Sequence, residues 1–98
     1  MYADTTRIRA LAEDLRERAD EVRDLAARLV ASADRVPWEG LTADAMRHHV
    51  GDRATALRRT ALLHDDAAEA LDRHARRVDH LDDLADLVPS LLDVVGLG

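Results

Sequence analysis

The chain has 98 residues, no cysteine and a net charge of −6. That length fits one small domain with no disulfide framework, and the acidic balance argues against a nucleic-acid binder, which needs a basic face toward phosphates. Apolar residues make up 47% but phenylalanine is absent, so the core has to be built from alanine, leucine and valine.

The first helical pattern runs from about residue 4 to 34. Ile8, Leu15, Val22 and Leu29 recur every seven residues, with Ala12, Ala19, Ala26 and Ala33 four residues after each. This 3.5-residue period is that of a helix packed along its whole length against another. Alanine every seventh residue lets two backbones approach closely while the larger neighbours fill the flanks. Leu11, Leu25 and Val30 remain beside the stripe.

A break follows at residues 35–41, where Pro37 pre-sets a turn, Trp38 is the one tryptophan, and Gly40 permits backbone angles that other residues avoid. The second pattern runs from about residue 42 to 88. Val50, Leu57, His64, Leu71 and Val78 alternate with Ala54, Ala61, Ala68 and Ala75, so the two stripes match. Thr42 or Asp44 is expected to cap this helix and Pro89 to stop it. So short a connection predicts antiparallel neighbours, and hence an all-α, antiparallel two-helix hairpin.

At 1.5 Å per residue the helices would be about 46 and 70 Å long, leaving the second to overhang from near Asp72. The overhang holds Asp79, Asp82, Asp83 and Asp86, and no arginine lies beyond Arg77. Met46, Leu62, Leu63, Leu81, Leu84 and Leu87 are further apolar positions that one facing helix does not cover. An alanine-rich hairpin buries little area against its ordering entropy, so pairing of two hairpins into a four-helix bundle dimer is expected. The final segment, residues 89–98, is unusually apolar for a terminus. Its Leu91, Leu92, Val94 and Val95 are candidates for docking on the bundle or for recognition by another protein.

Trp38-Glu39-Gly40 near the middle of a chain of this length, between two long helices, resembles the WXG family of small type VII secretion substrates, the Esx-like proteins. The resemblance implies a helical hairpin that pairs as a homodimer or with a sister protein, and is exported folded by a membrane ATPase complex in actinobacteria and firmicutes. It also implies that Trp38 and Gly40 contribute to recognition by the secretion ATPase. Such a protein is only transiently cytoplasmic and is secreted without a leader. Many members carry Tyr-x-x-x-Asp or Tyr-x-x-x-Glu after the second helix, whereas the one tyrosine here is Tyr2. A partner would have to supply that signal, or the apolar tail would replace it.

No catalytic constellation is present: there is no cysteine, no glycine-rich phosphate loop, and Ser32 and Ser90 fall at helix ends. Asp44, His48 and Asp52 share a helical face, but no His-Glu-x-x-His motif or thiol ligand accompanies them. An enzyme, a metal site and a cofactor are therefore not expected. His64 differs from the other histidines because it takes a large-residue position in the stripe, where a partly buried, satisfied core histidine is expected, the alternative being a group that loosens the bundle when protonated. The N-terminus lacks a cleaved signal sequence and no apolar run spans a bilayer, so stable membrane insertion is not expected. Two other readings suit the same pattern: an intracellular helical adaptor or antitoxin-like binder, and a membrane-active effector.

Overall fold

In the computed structural model, which describes residues 4–37, 39–94 and 96 and the side chains among them outside 90–94, the two heptad stripes form two long helices. Helix α1 spans Thr6–Arg35 and α2 spans Gly40–Val94. The first helix begins where the Asp4 carboxylate accepts a hydrogen bond from the Thr6 N–H at 3.0 Å, satisfying one of the donors left open at a helix start. It ends at Val36, whose extended backbone (φ −80°, ψ 130°) leads into Pro37.

The helices pack on each other along the stripe, and the molecule measures 85 × 16 × 12 Å. What they bury is alanine. Ala12, Ala19 and Ala26 of α1 and Ala54, Ala61, Ala68 and Ala75 of α2 are fully buried, and among the described residues no large side chain is. Ala33, the last alanine of the first stripe, is only half-buried. Ala43 joins the core near the start of α2, seven residues before Val50, at a position where the repeat elsewhere carries a larger residue.

Two sequence-based boundaries are corrected. Thr42 and Asp44 lie inside α2 and do not cap it, because the helix already starts at Gly40. Gly40 has φ +77°, a left-handed conformation that glycine adopts at little cost and that a Cβ penalises. Pro89 does not stop the helix either, since α2 runs through it to Val94. A proline removes one backbone donor and crowds the preceding turn, but leucine-rich turns lie on both sides of it and favour helix. Gly96, again at φ +77°, follows the end of the helix, where a left-handed glycine commonly accepts the chain's exit. The segment taken as an apolar tail is thus helical over residues 89–94.

The overhang also differs from expectation. At 1.5 Å per residue α1 is about 45 Å long and α2 about 82 Å, and the excess is shared between both ends. Beyond Asp82 every described side chain of α2 is exposed, and from Gly40 to His49 all are exposed except Ala43. Asp72 and Asp79, placed in the overhang by sequence, pack beside α1. α2 already starts at Gly40, five residues after the end of α1, so its first turns lie beyond the stretch that packs on α1.

Two substitutions test this construction by urea unfolding. Ala68→Leu should cost about 1–3 kcal/mol, because the seam has no room for the added carbons. Gly40→Ala should cost about 1 kcal/mol through its backbone angle alone, since open space surrounds the position where a Cβ would sit.

Candidate functional site

With 100° of turn per residue, the residue four places after a buried alanine lies about 40° to one side of the seam, and the residue three places after it about 60° to the other. The hairpin therefore has two different edges. On the first, the residues four after the alanines or the buried Thr5 are Arg9, Arg16 and Arg23 on α1, and Asp65, Asp72 and Asp79 on α2. These pair across the helices as Arg9 with Asp79 at 2.5 Å, Arg16 with Asp72, and Arg23 with Asp65. The rungs are seven residues apart on each helix and run in opposite chain sense.

Thr5 closes the end of this ladder. Its hydroxyl donates to Asp79 at 2.9 Å and accepts from Arg9 at 2.7 Å. Among the described residues it is the one buried polar side chain. The hydrogen bond from Arg9, followed by that from Thr5, holds the Asp79 carboxyl below its usual range. The hydrogen bonds to Asp72 and Asp65 push Arg16 and Arg23 above theirs. Glu13 and Asp20 add a second carboxylate to Arg16 and Arg23, at 3.7 and 3.2 Å.

The ladder was missed in the sequence, although its signal is there. Arginine follows Ile8, Leu15 and Val22 directly, and aspartate follows His64, Leu71 and Val78 in the same way. The next rung would join Val30 and Arg58, where the charge pairing ends.

The second edge is apolar. Ile8, Leu15, Val22 and Leu29 on α1, and Val50, Leu57, His64, Leu71 and Val78 on α2, are all half-buried along it. Leu11 and Leu25 extend the same side of α1 at 51% and 47% exposure, and Leu81 extends that of α2 at 62%. The larger residues of the two stripes, together with Leu11 and Leu25, thus lie on one side of the alanine seam, whereas Val30 falls on the charged edge beside Arg58 and Leu62 and Leu63 are exposed. His64 is half-buried there, with Nδ1 2.8 Å from the Thr60 carbonyl oxygen. That contact within its own helix engages one ring nitrogen.

The remaining sequence candidates are dispersed. Gly40 sits at the start of α2, and Trp38 lies outside the described residues, as do Val95 and the side chains of Leu91, Leu92 and Val94. Leu84, Leu87 and Val88 form an exposed apolar ridge on the C-terminal overhang. Asp44 pairs with Arg47 at 3.5 Å and His48 with Asp52 at 3.6 Å, so these side chains engage neighbours and do not converge on a shared centre. Among the described residues no three His, Cys, Asp or Glu side chains gather as metal ligands, and no helix is long and apolar enough to cross a membrane.

Set against protein-family models, curated proteins and solved structures, the chain finds no match in any of the three.

The ladder makes a testable demand on pH. A carboxyl whose folded value is depressed adds stability that is complete above the unfolded aspartate value, about 3.9, and is lost as pH falls through the folded one. Thermal unfolding midpoints should therefore stay level from pH 7 to 5 and fall below about pH 4. Asp79→Asn should flatten part of that acid-dependent fall while lowering the midpoint at pH 7.

Proposed function

We propose that this chain is a protein-binding helical hairpin that completes a four-helix bundle with a second hairpin, and that it works as an Esx-like protein exported by, or escorting a partner through, a type VII secretion system. One observation carries the binding half of this reading: the ladder closes one edge of the alanine seam, while the other leaves large aliphatic side chains half in water. Singly exposed apolar residues are ordinary, but a continuous row of them along a rigid helix pair favours an interface. The partner is a second copy or a sister hairpin.

The secretion half rests on Trp38-Glu39-Gly40 standing between two long helices, and on the left-handed Gly40 that turns the chain into α2. The long C-terminal projection of α2, with its exposed Leu84, Leu87 and Val88, supports a further contact with the export ATPase.

Size-exclusion chromatography with light scattering across a hundredfold range of concentration tests the pairing. The expected result is a constant mass near twice 10.9 kDa, and Leu15→Asp together with Leu71→Asp should abolish it. A folded wild-type monomer would overturn self-pairing and leave a sister hairpin, sought by co-purification at 500 mM salt. Export is tested in an actinobacterial host with an active type VII system. The wild-type chain should reach the culture medium and Trp38→Ala should not. Retention of both inside the cell would instead favour the adaptor reading.

A further inference from the structure

Both helices also have outer faces, turned away from the seam and from both edges, and each carries a stretch of predominantly one charge, acidic at residues 14–21 of α1 and basic at 73–80 of α2. On α1, Asp14, Glu17 and Glu21 are exposed and line a shallow depression with Arg18. On α2, Arg73, Arg76, Arg77 and His80 are exposed and line another. Arg73 pairs with Glu69 at 3.0 Å, but Arg76, Arg77 and His80 have no acidic partner among the described residues, and Asp14, Glu17 and Glu21 have no basic one. The acidic stretch and the basic stretch lie on opposite flanks of one molecule, so they cannot neutralise each other within it.

We propose that the outer face of α2 docks the outer face of α1 of a second copy, joining hairpins side by side. The spacings agree in the antiparallel sense. Going down α2, Arg73, Arg77 and His80 are separated by four and then three residues, and going up α1, Glu21, Glu17 and Asp14 are separated by the same steps. Two opposed charge pairs, Arg73 with Glu21 and Arg77 with Glu17, therefore come into register at once with His80 level with Asp14, and the helix dipoles are also opposed. Because the two faces differ, the contact is head-to-tail and leaves a free basic face at one end and a free acidic face at the other, so it propagates and does not close. It uses neither the alanine seam nor the apolar edge, and it stands or falls apart from the bundle pairing proposed above. Exposed ion pairs are individually weak and screened by salt, so the array is a low-salt, high-concentration state.

The test is sedimentation velocity of the full chain at 10 mM and 1 M salt, where the screening length is about 30 Å and 3 Å. The weight-average mass at high protein concentration should rise about twofold or more on going to low salt. Arg77→Glu and Glu17→Arg should each remove the rise, and the double swap should restore it. The mass at 1 M salt, which reports the apolar edge, should be the same for all four proteins. A mass that does not change with salt overturns the proposal. So does a rise that survives either single swap, or a double swap that fails to restore it while circular dichroism shows intact helix.

Discussion

Everything in this molecule follows from the close approach of two backbones over alanine. A leucine seam would hold the axes at the wider end of ordinary helix packing, roughly 10 Å apart, and fill its own interior. Alanine instead brings the helices close and leaves nothing larger inside. The large side chains are displaced to one edge of the seam and remain half-wet, whereas on the other edge the helices are near enough for an arginine to reach an aspartate across the gap. An interior with so little volume contributes little transfer free energy, which is the physical ground for proposing a second hairpin over the apolar edge.

The ladder fixes alignment more than it adds stability. Exposed ion pairs are worth little individually, but three identical rungs at heptad spacing discriminate between registers. Sliding the helices by one heptad so that Arg16 met Asp65 would set Arg23 against Arg58. Sliding them the other way would ask the connection between Arg35 and Gly40 to span a still longer stretch of α2, and that segment already has Val36 extended. The first slide exchanges one rung for a like-charge contact, and the second is limited by chain length.

The described depressions are shallow and lie on charged outer faces, away from the apolar edge. A rod with one shut edge, one apolar edge, backs bearing stretches of opposite charge and a helix projecting from each end offers several separate surfaces to proteins.

The sequence by itself determined the two helices, the alanine seam and the antiparallel reversal near Pro37, while the displacement of the larger stripe residues to one edge came from the packing. The first three depend on periodicity and local backbone preference, which act within a few residues and are visible without a fold. Tertiary structure decided the rest. Whether Asp72 and Asp79 are a loose acidic end or rungs of a ladder depends on which residues of the other helix lie level with them, and only docking sets that register. The projection of α2 at both ends came from the register in which the two helices dock, and the passage through Pro89 from strong helix formers outweighing one lost hydrogen bond. Heptad spacing shows that two helices will meet; the geometry of their meeting determines what each side chain faces.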